Sequence, residues 1–293
     1  MSRYKIILVL GIGVVTLSFA SILIRLTPAP SLVIATIRMC TASLVLTPFF
    51  WSRFNQVRSE LRNIKWGLII LAGLFLAIHF AMWIESLRHT SVPSSVVLVA
   101  MDPIFVAILS PLLLREKLSL KITLAVILGV IGASIIASQG FGSFAITKGN
   151  LLALGGAACA GGYLIVGRKI RPQTSLISYI YIMYTIAAII LLVATLTTGH
   201  HLSGYIPQAY LFMILLGLGP QLVGHSSFNW ALKYLTAPIV AMGILGEPVG
   251  TTILSWLILK QPPTGREIIG GIVLCAGIYL AATSINTKQT KQT

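Results

Sequence analysis

Residues 86–119 read SLRHTSVPSSVVLVAMDPIFVAILSPLLLREKLS, and residues 231–264 read ALKYLTAPIVAMGILGEPVGTTILSWLILKQPPT. The second stretch repeats the first at an offset of 145 residues. Leu87/Leu232, Pro93/Pro238, Pro103/Pro248, Ser110/Ser255, Leu112/Leu257 and Leu114/Leu259 are identical, and Arg88/Lys233, Ser91/Thr236, Asp102/Glu247 and Arg115/Lys260 are conservative. In each copy an acid followed by proline falls about halfway along an apolar run. An ionisable group there costs about 2.5–3.5 kcal/mol on insertion scales. A duplicated apolar unit with a polar group at one depth in both copies is the pattern of a membrane carrier with a midplane site.

Composition agrees. Of 293 residues, 56% are hydrophobic and 9% charged, where a soluble domain carries about 25% charged. The formal charge of +15 does not point to nucleic acid, because the basic residues lie in short gaps between apolar runs rather than on one solvated face. Cys40, Cys159 and Cys275 all fall inside apolar runs, so no disulfide framework follows. No zinc-like spacing of Cys and His occurs, and no metal or cofactor is expected. The run at 6–24 is long for a signal-peptide core and is read as a retained first span.

Ten apolar runs are long enough to cross a bilayer as helices. They lie near 4–26, 31–51, 65–86, 91–114, 119–138, 149–167, 174–196, 207–230, 236–259 and 265–285. The expected fold class is therefore an all-α integral membrane protein with ten transmembrane helices. Little chain remains for a soluble domain, which argues against extramembrane catalysis. With the N-terminus in the cytoplasm, 15 basic residues lie inside and 5 outside, with Arg38 within a span. That bias satisfies the positive-inside rule and puts both termini in the cytoplasm. Ten spans divide into five and five. Because five is odd, the second unit enters the membrane inverted relative to the first. The expected division is a first repeat at 1–140, an inverted second repeat at 146–285 and a cytoplasmic tail at 286–293.

With these residues in view, the chain resembles the EamA-type members of the drug/metabolite transporter superfamily. The resemblance spans nearly the whole chain as two tandem five-span units. It rests on the SLRHTSVPSS and ALKYLTAP openings of spans four and nine, on Pro103 and Glu247-Pro248, on PLLLREKL, and on Arg38 in TIRMCTASLVL of span two. It implies export of amino acids or other metabolites, a pathway enclosed by spans three, four, eight and nine with one and six, and a structural or gating role for Arg38. One departure is Lys260-Gln261-Pro262, where the family pattern has a glutamate. Its place at a membrane surface predicts an effect on local structure rather than on transport.

Polar groups that face an internal cavity should recur along one helix face. Gln221, His225 and Asn229 do so in span eight, and His79 and Trp83 in span three. Glu247, Thr251 and Ser255 share a face of span nine, Ser95 and Asp102 of span four, and Ser178, Tyr181 and Thr185 of span seven. Span one adds Ser18 and Ser21. The expected substrate-binding residues are His79, Trp83, Asp102, Tyr163, Gln221, His225, Asn229 and Glu247. Asp102, Glu247 and Arg38 are expected to couple or gate. Bland readings stand beside these. Ser and Thr in membrane helices mostly bond their own backbone or a neighbouring helix. Trp83 suits an interfacial anchor as well as a cavity wall. The Gln221/His225/Asn229 stripe suits interhelical bonds as well as a cavity.

Asp102 and Glu247 have three readings: a proton site coupled to the gradient, a partner for a substrate amino group, or a donor to backbone carbonyls freed by the next proline. Arg38 is expected to pair with a carboxylate of the protein or of the substrate, and Arg25 to snorkel to the surface. Pro93, Pro103, Pro111, Pro220, Pro238 and Pro248 mark candidate kinks. Gly155, Gly156, Gly161, Gly162, Gly246 and Gly250 mark candidate close approaches of helices.

The leading reading is secondary-active export of a small metabolite, foremost amino acids, across a bacterial inner membrane, with proton coupling as an option and a monomer as the default. Tyr163, Tyr181 and Tyr184 join Trp83 as aromatic hints toward apolar side chains. The alternative is efflux of organic cations on Asp102 or Glu247. An intramembrane enzyme is remote. HExxH and GxGD are absent, and Asp102 is the single aspartate. No P-loop points to an ATP-driven pump.

Overall fold

A computed structural model describes residues 2–137, 147–260 and 262–285. The expected tail at 286–293 lies outside the described residues. Among the described residues nine helices are long and apolar enough to cross a membrane, and Leu120–Ile136 is a shorter apolar helix. In chain order the ten spans are Arg3–Arg25, Ser31–Trp51, Trp66–His89, Ser94–Leu113, Leu120–Ile136, Lys148–Gln173, Leu176–Thr197, Pro207–Ala231, Ala237–Ile258 and Gly265–Thr283. The protein is an all-α membrane protein, and no strand occurs among the described residues.

Helices are the form these segments must take, since lipid offers no partner for a free backbone N–H or C=O. Capping side chains at their starts supply what the first turn leaves open. Ser91 accepts from the backbone N of Ser94, Thr147 from Asn150 and Ser175 from Ser178. Thr264 and Glu267 form a capping box. Apolar side chains on the outer faces, such as Leu8, Leu44, Ile108, Leu112 and Ile272, stand exposed to what is hydrocarbon in the membrane. Between spans two and three lies the polar helix Phe54–Asn63, which buries Val57 in the apolar core. Glu60 Oε2 from it accepts the backbone N–H of Ser175 at 3.0 Å, bracing the start of span seven.

The inverted repeat is visible in the packing. Span two packs on seven and span five on ten, each against its own mate, while three on six is matched by one on eight. Spans four and nine are each broken in two. Val92–Val99 is followed by Asp102–Leu113, and Ala237–Ile244 by Gly246–Leu259. The first half of each packs on the second half of the other, the pairing of two antiparallel segments. Both second halves end on a residue with positive φ, Arg115 at 56° and Lys260 at 57°, and these too are repeat mates.

The breaks precede the acids instead of falling at the prolines. Helical φ/ψ lapses at Ala100 and Met101 in span four and tightens at Leu245 in span nine. Pro103 and Pro248 then sit in the first turn of the following helix, where a missing N–H costs nothing. Each acid also lies in that first turn, at the positive end of the half-helix dipole. Span eight carries an unforeseen feature. Residues Gly217–His225 form a π-helix around Pro220, between Pro207–Leu216 and Ser226–Ala231. Its wider turn keeps residues four apart nearly in line, so Gln221 and His225 stay on one side.

Small residues set the helix separations. A Cβ at Gly132 would stand 2.6 Å from the carbonyl oxygen of Gly270, so spans five and ten touch backbone to backbone. A Cβ at Gly161 would meet Phe105 at 2.9 Å, and one at Gly246 would meet Val14 at 2.8 Å.

Candidate functional site

At the level of the two breaks the bundle encloses a cavity of about 20 Å³. Span three supplies His79 and Trp83, span four Asp102, span six Tyr163, span eight His225 and span nine Glu247. A space of that size holds about one water. The space between these polar groups is therefore too small for a metabolite.

His79, Trp83, Tyr163 and His225 put rings into its wall. His79 stacks on Trp83 at 5.9 Å with 19° between planes, and His225 stands edge-on to His79 at 6.2 Å and to Phe80 at 5.2 Å. His79 Nδ1 donates to the carbonyl of Gly156 at 2.9 Å. That leaves Nε2 of the neutral ring as an acceptor. Tyr163 and His225 share a hydrogen bond of 3.2 Å. Trp83 is 3% exposed and its Nε1 has no partner, so it is an interior wall and not an interfacial anchor.

Neither oxygen of Asp102, nor Oε1 of Glu247, has a hydrogen-bond partner. The reading in which these acids cap carbonyls freed by the prolines finds no such bond at those atoms. A buried polar group left unpaired costs about 1–3 kcal/mol, more when charged. Three such atoms stand around one small space.

For Arg38 the protein half of the expectation finds no partner. It is fully buried, but no carboxylate is its partner. Its Nε donates to Gln221 Oε1 at 3.0 Å, and its guanidinium lies 4.0 Å from the Phe80 ring centre and 5.9 Å from that of Trp83. A guanidinium over aromatic faces gains cation–π attraction. Among the described residues the ion pairs are His89–Glu85 and Arg168–Glu116. Arg38 Nη1 and Nη2 and Gln221 Nε2 all remain unpartnered. Donors thus gather behind Trp83 and Phe80, while the two acids stand at the helix breaks.

Other expected residues do not reach the cavity. Asn229 donates from Nδ2 to the carbonyl of His225 at 2.9 Å, and its Oδ1 is unpartnered. Ser95 bonds Ser86 at 2.5 Å, and Thr185 bonds Ser43 at 2.6 Å, so both tie helices together. Tyr181 packs on Phe50 with ring centres 4.1 Å apart, and Tyr184 bonds Ser226 at 3.1 Å. Phe80 escaped the sequence reading. It is itself apolar, and nothing in its spacing sets it apart from a lipid-facing residue.

A second, larger cavity of about 270 Å³ opens at the face away from the N-terminus. Ser21 and Arg25 of span one, Thr251 and Ser255 of span nine, and Glu267 of span ten line it, and Pro248 forms part of its wall. It therefore reaches the residue after Glu247. The floor between it and the central cavity is a contact of spans one and nine. Ser18 Oγ donates to the Glu247 carbonyl at 3.5 Å, and Thr251 Oγ1 to the Ser18 carbonyl at 3.2 Å. Arg25 does not merely snorkel. Its Nη1 donates to the carbonyl of Leu87 at 3.1 Å.

Comparison with known proteins places this architecture. The profile of the EamA-like transporter family matches residues 4–138 and again 147–283. The chain is 25% identical over 247 residues to the "uncharacterized transporter YyaM" of Bacillus subtilis (strain 168), covering 79% of each. It is also 25% identical over 271 residues to a "riboflavin transporter" of Vibrio cholerae, covering 90% of this chain and 86% of that one. A solved crystal structure superimposes with a TM-score of 0.79 at 16% identity, covering 99% of both chains. At that identity the likeness concerns the fold.

Proposed function

This chain belongs to the EamA-like transporter family, and on that footing we propose that it is a secondary-active exporter of small zwitterionic metabolites, foremost amino acids. It works by alternating access around the site between the two helix breaks. The positive-inside bias puts the N-terminal face in the cytoplasm of a bacterial cell and the 270 Å³ vestibule outside.

One observation carries the substrate reading. Two buried carboxyl groups line one small space, and a buried guanidinium lies behind its Trp83 wall, over Phe80, without pairing with either acid. A zwitterion answers both. Its carboxylate suits the free Nη atoms of Arg38 with Gln221 Nε2, in the forked geometry that arginine favours. Its ammonium suits Asp102 or Glu247, and a side chain lies against His79 and Trp83. Of the two acids, Glu247 also serves as the proton carrier, because the vestibule ends beside it.

A flavin is the second reading, since the relatives from Vibrio cholerae and Brucella anthropi are named riboflavin transporters and stacked rings suit a planar heterocycle. A purely cationic substrate fits less well, because Arg38 repels it.

The test is counterflow in proteoliposomes preloaded with unlabelled amino acids, or in a separate batch with riboflavin, each offered the corresponding labelled tryptophan, threonine or riboflavin. Saturable accumulation of the amino acids that depends on preloading is the expected result. Accumulation of riboflavin alone overturns the zwitterion reading in favour of the flavin.

A further inference from the structure

Residues 51–66 read WSRFNQVRSELRNIKW and join span two to span three. Four of them are cations, Arg53, Arg58, Arg62 and Lys65, and one is an acid, Glu60. Most of the stretch is the helix Phe54–Asn63. Two residues connect it to span two and two to span three, a reach of about 7 Å at each end. The helix is therefore held at the membrane surface.

Its faces have different surroundings. Val57 is 1% exposed, and Leu61, one turn on, packs against the same core. Glu60 is committed to the bundle: Oε2 accepts the backbone N–H of Ser175 at 3.0 Å, and Gln56 Nε2 donates to Oε1 at 3.3 Å. Phe54, Arg58 and Arg62 recur at i, i+4 and i+8 and form a third stripe, which is exposed. Arg53 and Lys65 stand exposed just beyond the two ends of the helix. Among the described residues none of the four cations pairs with a carboxylate.

Aromatic rings set the depth of that stripe. Trp51 and Trp66 are exposed at the ends of spans two and three that flank the helix, and Trp51 stacks on Phe54 with ring centres 5.0 Å apart. Exposed tryptophans at span ends mark the headgroup level of a bilayer. Guanidinium groups held at that level meet lipid phosphate, which the arginine fork matches in shape. A helix lying flat with basic and aromatic residues side by side has the composition of an interfacial helix.

We propose that Phe54, Arg58 and Arg62, with Lys65, form a binding surface for the headgroup of an anionic phospholipid in the leaflet at the N-terminal face. The arginines take the phosphate, and the rings of Trp51, Phe54 and Trp66 lie against the glycerol and the upper acyl chains. A soluble phosphate would leave those rings unused, which favours the lipid. None of these residues lines the central cavity or the vestibule, so the surface is independent of the substrate reading above.

The test reads lipid preference in reconstituted full-length protein with Trp230→Phe and Trp256→Phe. Trp83 is buried in the interior, so quenching by dibrominated lipid then reports Trp51 and Trp66. Vesicles mix phosphatidylglycerol with phosphatidylcholine, and the bromine is carried by one lipid or the other. The expected exchange constant favours phosphatidylglycerol. It falls about fivefold in Arg58→Gln and again in Arg62→Gln, the equivalent of ~1 kcal/mol for each cation at an anionic surface. Lys117→Gln with Lys121→Gln, which removes exposed charge between spans four and five, leaves the constant unchanged. No change in either arginine variant, or an equal loss in the lysine control, overturns the surface and makes the stripe a solvated face. Loss of the preference in inorganic phosphate at matched ionic strength overturns it in favour of a soluble anion. Each arginine variant is read separately, so poor folding of one leaves the other to decide.

Discussion

Asp102 and Glu247 occupy the same place in two copies of one motif, yet the protein gives them different surroundings. Both begin a half-helix, both precede proline, and both lack partners at the atoms named above. Asp102 is 1% exposed, and the vestibule that reaches Pro248 and Thr251 has no contact with it. Glu247 is 6% exposed and stands one residue from the vestibule wall. A duplicated sequence therefore yields two chemically similar buried groups, one of which is followed by a residue of the vestibule wall. Only a group that meets water on one side and substrate on the other can exchange a proton with the gradient. Under the proposed function, the difference favours Glu247 for coupling and Asp102 for substrate.

The largest effect that can break this comparison is expected from Glu247→Gln. Uptake driven by a pH gradient should fall to background in everted vesicles, while substrate exchange continues. Equal gradient-driven activity in the variant would remove the coupling role. Asp102→Asn should behave oppositely, retaining the response to a pH gradient with KM raised about tenfold, the loss of one charge-assisted hydrogen bond of about 1.5 kcal/mol. A variant that loses the pH response instead would make the two acids equivalent.

Arg38→Lys sharpens the other side of the site. Lysine keeps the charge but loses the fork and the flat face over Phe80, so KM for an amino acid should rise about tenfold with little change in exchange at saturation. An unchanged KM would place the substrate carboxylate elsewhere. The smallest effect belongs far from the breaks. Thr36 and Thr195 share a hydrogen bond of 2.8 Å between spans two and seven. Thr36→Val should cost about 0.6 kcal/mol in unfolding and leave transport untouched. A transport defect there would mean that spans two and seven move during the cycle.

Hydropathy and the 145-residue offset made the spans, the repeat and the two acids legible, because each is a property of consecutive residues or of one internal comparison. The ring-walled cavity was half legible. A polar residue in an apolar run announces itself, as His79 and His225 do, but Phe80 does not. Periodicity along one helix says which residues share a face and not which helix that face meets. For that reason Thr185 and Ser95, with suitable spacing, proved to bond Ser43 and Ser86. Arg38 meets Gln221 across 183 residues of chain, a contact that only the assembled bundle creates. The π-helix at Gly217–His225 and the breaks ahead of Asp102 and Glu247 are backbone responses to packing around prolines. The prolines marked the neighbourhood without fixing the residue.

The central claim is that one site recognises both charges of a zwitterion. It is tested most directly by competition against labelled tryptophan counterflow in proteoliposomes, using tryptophan, tryptamine and indole-3-propionate. The three share a ring and differ in which charges they carry. Strong competition by tryptophan, with weak competition by each singly charged analogue, is the predicted result. Tryptamine competing as well as tryptophan would contradict it, removing Arg38 from substrate recognition and making the protein a carrier of organic cations.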